Sequence, residues 1–120
     1  MQRILVVDDE PAIREMLYEL LTREGYAVEQ AGNGLDALRI HSKDPVDLVV
    51  LDILMPEMDG LEVCRTIKAE PVLADMKVII ITGFPEHPKL KEVAELGFTH
   101  VYYKPFDLGD IMKAVDDMLA

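Results

Sequence analysis

Acidic and polar side chains stand where the apolar runs of this chain stop. The run Ile4-Leu-Val-Val empties into Asp8 and Asp9, and Leu48-Val-Val-Leu empties into Asp52. A third run, Val78-Ile-Ile-Ile, reaches Thr82, and a shorter one, Val101-Tyr-Tyr, reaches Lys104. Short, nearly unbroken apolar runs are the pattern of strands buried on both faces of a parallel sheet. Ligands of such sheets sit beyond the carboxyl ends of the strands. Those ends gather Asp8, Asp9, Asp52, Thr82 and Lys104 at one edge. Crowded carboxylates oppose one another's ionisation. A divalent ion relieves that conflict, and a hard oxygen cage suits Mg²⁺. The chemistry implied is phosphate chemistry at a small acidic site. Asp8 and Asp9 alone could merely cap a helix or face solvent; Asp52 after a second buried strand favours a built site.

The segments between these runs read as helices, in five strand–helix units. A strand at Arg3 to Val7 precedes a helix from Pro11 to Glu24, with Pro11 at a first helical position and Gly25 at its stop. A short strand at Ala27 to Gln30 leads to a helix opening at Asn33-Gly34 and running to Ser42. The third strand spans Asp47 to Leu51. After the loop Leu54-Met-Pro-Glu-Met, Asp59 caps a helix, with Glu62 as its capping-box partner. The fourth strand, Lys77 to Ile81, enters a Pro-rich loop and a helix closed by Gly97. The fifth strand ends at Tyr103. Asp107 caps the last helix, which carries Leu108, Ile111, Met112, Val115 and Leu119 on one face. Strictly alternating units predict an α/β fold, a doubly wound five-stranded parallel sheet with helices on both faces.

Composition narrows the partners. The 120 residues read as one domain, 1–120, with 50% hydrophobic residues to fill its core. Twelve basic against 23 acidic residues give a formal charge of −11, which disfavours direct binding to nucleic acid or anionic membranes. Cys64 is single and in line with Leu61 and Ile67, so it reads as a buried core thiol. His41, His87 and His100 share no metal-like spacing. Neither a signal peptide nor a membrane-length apolar stretch is present, and the expected location is cytoplasmic.

Taken together, the motifs LVVDDEP (Leu5 to Pro11), LVVLDILMPEMDG (Leu48 to Gly60), ITG (Ile81 to Gly83) and KPF (Lys104 to Phe106) make the whole chain resemble response-regulator receiver domains. The resemblance implies a (βα)5 flavodoxin-like receiver fold. It implies that Asp52 accepts a phosphoryl group from a phosphohistidine, that Asp9 binds Mg²⁺ directly, and that Asp8 holds the ion through water. The carbonyl of Leu54 would be a further ligand, Thr82 would hydrogen-bond the phosphoryl group, and Lys104 would form its salt bridge. The Lys104–Pro105 peptide is expected to be cis, and Gly60 to make a tight turn after the acceptor loop. The implied donor is a sensor histidine kinase or a histidine phosphotransferase. The product is an altered surface for a downstream protein target, on a monomer or weak dimer without an output domain. Such a protein is not a turnover enzyme; it catalyses only its own phosphorylation and slow dephosphorylation.

Val101 departs from the family, which usually has an aromatic switch residue there, so a coupled Thr–aromatic movement is not expected. Apolar residues cover a wide arc of the first helix, leaving Ala12, Ile13 and Met16 as a surplus edge beside Phe106, the surface that meets the donor's histidine-bearing domain in relatives. The alternative reading is a phospho-independent interaction module. A haloacid-dehalogenase-type phosphatase would need a second acid where Leu54 stands, and the Asp8-Asp9-Glu10 loop would repel a flavin phosphate.

Overall fold

Uninterrupted leucine and β-branched runs build the sheet, and the helices between them cover it twice over. The computed structural model describes residues 2–55, 58–70 and 76–120. The Pro56-Glu57 part of the acceptor-loop motif lies outside them. Strands β1 (Arg3–Val7), β2 (Ala27–Ala31), β3 (Leu48–Asp52), β4 (Lys77–Thr82) and β5 (Val101–Tyr103) alternate with helices α1 (Pro11–Arg23), α2 (Gly34–Lys43), α3 (Gly60–Ala69), α4 (Pro88–Glu95) and α5 (Leu108–Leu119). The five strands form one sheet in the order β2-β1-β3-β4-β5, and every pairing is parallel. This is the expected doubly wound, flavodoxin-like architecture, with element ends differing by a residue or so from those read in the sequence.

Strand alternation splits the core into two layers. Leu5, Val7, Val49, Leu51 and Ile80 face α2, α3 and α4, where Ala37, Cys64, Ile67 and Val93 meet them. Ile4, Val6, Leu48, Val50, Ile79 and Ile81 face α1 and α5, against Leu17, Leu21, Ile111 and Val115. Both faces of β3 are therefore dry, and its C-terminal residue Asp52 emerges from the middle of the molecule. Cys64 is fully buried, as expected, and burial pushes its thiol up to about 12.

Local signals fix the ends. Gly25 follows α1 with φ +97°, a left-handed conformation that costs glycine little. Asn33, Asp59 and Asp107 cap α2, α3 and α5 with their side chains. The capping box at α3 is only half made: Asp59 accepts from the Glu62 N–H at 3.1 Å, but Glu62 turns to Arg65 Nη1 at 2.9 Å. Arg65 also reaches Glu92 at 2.5 Å, and Lys89 pairs with Asp59, so two ion pairs tie α4 to α3. Gly60 serves close approach, since a Cβ there would collide with the Asp52 carbonyl oxygen and lie 2.7 Å from Ile53 Cα. Packing of α3 against the strand end, beyond the expected turn, demands glycine there. His41 is buried at the core edge, with Nδ1 accepting from the Val46 N–H at 3.0 Å, and burial lowers its pKa.

Candidate functional site

Register decides which acids meet. Val7 of β1 pairs with Leu51 of β3, so the next residues, Asp8 and Asp52, stand side by side. Asp8 is 0% exposed and Asp52 is 4% exposed, whereas Asp9 and Glu10 reach solvent. Carboxylate oxygens of Asp8, Asp9, Glu10 and Asp52 all lie within 4.8 Å of one another.

Lys104 enters from the end of β5. Its N–H donates to the Thr82 carbonyl at 2.8 Å, and the Lys104–Pro105 peptide is cis. The ammonium sits 2.9 Å from Asp8 Oδ2, 3.0 Å from Glu10 Oε1 and 3.3 Å from Asp52 Oδ2. One cation thus serves three carboxylates. Burial alone would depress the Lys104 pKa; contacts with Asp8 and Glu10 and the charge of Asp52 outweigh it and hold the ammonium charged.

The carboxylates remain under-compensated. Asp8 Oδ1 accepts from the Glu10 N–H at 2.9 Å, but among the described residues Asp8 Oδ2 has no aligned donor. Lys104 is close enough for charge attraction yet off the line that a hydrogen bond needs. Asp52 Oδ1 accepts a long bond, 3.3 Å, from the Leu54 N–H. Burial, followed by the neighbouring Asp8 charge, pushes Asp52 up to about 6 despite Lys104. Burial likewise raises Asp8. A buried oxygen without a donor, within a cluster of hard oxygens, fits a divalent cation. The group can hold a metal ion.

A cleft of about 190 Å³ opens on this cluster, lined by Asp9, Glu10, Asp52, Leu54, Gly83, Phe84 and Lys104. Thr82 is buried at the end of β4, where its Oγ1 accepts from the Phe84 N–H at 3.1 Å. Phe84 is 61% exposed at the rim. Asp8, Asp9, Asp52 and Lys104 are thus brought together as the strand-end pattern anticipates; Thr82 stands beside them with its hydroxyl turned to its own loop.

Two contributors escape sequence reasoning. Glu10 figured in the sequence only as part of the acidic Asp8-Asp9-Glu10 loop and Arg14 not at all, yet Glu10 reaches Lys104 and Arg14 Nη1 donates to the Asp8 carbonyl at 2.7 Å. Only an acid one residue past the Asp pair hinted at Glu10. Val101 is half-buried against the α2–α4 layer, Tyr102 packs on the opposite layer, and Tyr103 is exposed, as alternation requires. On α1, Ala12 and Met16 are exposed and Ile13 is half-buried; Phe106, ahead of α5, is also half-buried against the α1–α5 layer.

A parallel five-stranded sheet with an acidic carboxyl edge places the protein among flavodoxin-like α/β domains. The family model for the response regulator receiver domain matches residues 4–116, so the chain belongs to that family. It is 42% identical over 118 residues to sporulation initiation phosphotransferase F of Bacillus subtilis, covering 98% of this chain and 94% of that protein. It is 37% identical to response regulator MprA of Mycolicibacterium vanbaalenii, spanning 98% of this chain but half the length of that regulator. Among solved structures, the receiver domain of a signal transduction histidine kinase from Syntrophus aciditrophicus superimposes with a TM-score of 0.91 at 34% identity, covering 99% of this chain and 90% of that one. Chemotaxis protein CheY4 of Vibrio cholerae gives 0.87 at 28% identity, covering 98% of each chain. Receiver domains are signalling modules, not turnover enzymes. No helix among the described residues is long and apolar enough to cross a membrane.

Proposed function

We propose that this domain is a phosphoacceptor that takes a phosphoryl group on Asp52 from a phosphohistidine, borne by a sensor histidine kinase or a histidine phosphotransferase. The observation that carries the reading is the buried Asp8–Asp52 pair, held by a single shared lysine at the mouth of a cleft. In-line phosphoryl transfer requires a positioned nucleophile and cations matched to the charge on the equatorial oxygens. Asp52 is the nucleophile, aimed by the Leu54 N–H. Lys104 neutralises the incoming group, and Thr82 turns its hydroxyl from the Phe84 N–H to a phosphoryl oxygen.

Asp9, Asp8, Asp52 and the Leu54 carbonyl would hold Mg²⁺, with Asp8 acting through water. That ion, when bound, neutralises the acidic cluster and polarises the phosphoryl oxygens. Leu54 and Phe84 present apolar surface to the cleft and hinder the approach of water, so the acyl phosphate is long-lived. Val101 offers no large ring to move, so the change of shape concentrates in residues 83–88 and at the head of α4. The altered surface is read by a protein target, in a cytoplasmic signalling system.

The direct test uses acetyl phosphate and Mg²⁺. Intact mass should rise by one phosphoryl group, labile to alkali, and Asp52→Asn should abolish the gain. Full labelling of that variant would sink the assignment.

A further inference from the structure

Lys104 has three N–H donors, and three carboxylates already surround it. Two of these, Asp8 and Asp52, are buried in the strand ends and cannot withdraw. The third, Glu10, has a 58% exposed side chain standing 3.0 Å from Nζ at the rim of the cleft. A phosphoryl oxygen seeking Lys104 must displace one of them, and only Glu10 is free to swing into water. Its carboxylate also stands on the path of an incoming anion. Local geometry leaves it there: the Glu10 N–H is fixed by Asp8 Oδ1, and Pro11 starts α1 directly behind it.

We infer that Glu10 is a positioning and specificity-determining residue: it occupies Lys104 before transfer and makes the domain discriminate among phosphodonors by their charge. This rests on the phosphoacceptor reading above. In the transfer, an Asp52 oxygen forms a bond to phosphorus. With acetyl phosphate the P–O bond to acetate breaks, and acetate leaves with the electron pair. With phosphoramidate the P–N bond breaks, and ammonia leaves from the already protonated nitrogen. Near neutral pH the first donor is mainly a dianion and the second carries about one net negative charge. A fixed carboxylate at the rim therefore penalises acetyl phosphate more.

The experiment measures initial phosphorylation rates with both donors at saturating Mg²⁺, for the wild type, Glu10→Gln and Glu10→Asp. Glu10→Gln keeps size and an acceptor oxygen but removes the charge. Its ratio of acetyl phosphate rate to phosphoramidate rate should rise about three- to fivefold, the scale of one unit charge at about 4 Å in a water-like medium. Glu10→Asp, which restores the charge, should return the ratio toward the wild-type value. High salt should narrow the gap between Glu10→Gln and wild type. A merely structural role would change both rates alike and leave the ratio fixed, and that result overturns the inference. Absence of labelling on Asp52 in the wild type with either donor would instead overturn the phosphoacceptor reading itself.

Discussion

The two ends of the sheet each hold one cation among three carboxylates, and they behave as opposites. At the carboxyl edge, Lys104 meets Asp8, Glu10 and Asp52. At the amino edge, Arg3 Nη2 meets Asp44 at 3.0 Å and Glu29 at 3.4 Å, while Asp47 accepts from the Arg3 backbone N–H at 2.8 Å. The composition is nearly the same; the solvation is not. Asp44 and Glu29 are exposed, and the Arg3 guanidinium also donates to the Pro45 carbonyl. Asp8 and Asp52 are buried, and one oxygen of Asp8 lacks an aligned donor among the described residues. Water satisfies the first cluster and screens it. Burial leaves the second under-compensated, the condition that the proposed cation and phosphoryl group would relieve. Desolvation, more than residue type, separates the two clusters.

The largest break in this comparison should come from the two cations. Lys104→Met leaves Asp8 and Asp52 buried without a counter-charge, and should cost about 3 kcal/mol of stability in metal-free buffer. Denaturant unfolding would measure it, and a loss no greater than that of Arg3→Met would show the two ends to be equivalent.

Removing an acid should act with the opposite sign. Asp52 has a folded-state pKa of about 6 against the ordinary 3.8, because burial and Asp8 resist its charge. Its contribution is therefore full below the unfolded value and is lost as pH rises through about 6. Without metal, Asp52→Asn should be more stable than wild type at pH 7 by about 1–3 kcal/mol. The advantage should shrink on acidification and vanish near pH 4, and thermal melts across that range would trace it. Asp44→Asn at the solvated end should show no such window.

Mg²⁺ should raise the melting temperature of the wild type, by about 1.4 kcal/mol of stability at tenfold excess over its dissociation constant. Asp9→Ala should abolish that shift, whereas Asp47→Ala at the other edge should keep it. Equal shifts in the two variants would place the ion elsewhere. The smallest effect belongs to Arg3→Met, at about 0–1 kcal/mol, since its partners are solvent-screened.

Unbroken apolar runs closed by Asp52 and by Asp8-Asp9 announced both the parallel sheet and its acidic edge, because strands dry on both faces need such sequences. Prolines, glycines and capping residues set the helix limits within a residue or so, since those effects act over a single turn. The capping box at Glu62 failed for a tertiary reason: Arg65, one turn on, bridges Glu62 to Glu92 on α4.

Sequence by itself therefore determined the fold class and the candidate residues, through periodicity and local chemistry carried by neighbours in the chain. Tertiary structure alone decided how those residues divide the work. Asp8 and Asp9 are identical and adjacent, yet the register of β1 on β3 buries one and leaves the other in water. Likewise, Glu10 and Lys104 are 94 residues apart and meet only because β5 closes the sheet beside β4. Burial and long-range distance are properties of packing, which no local pattern encodes.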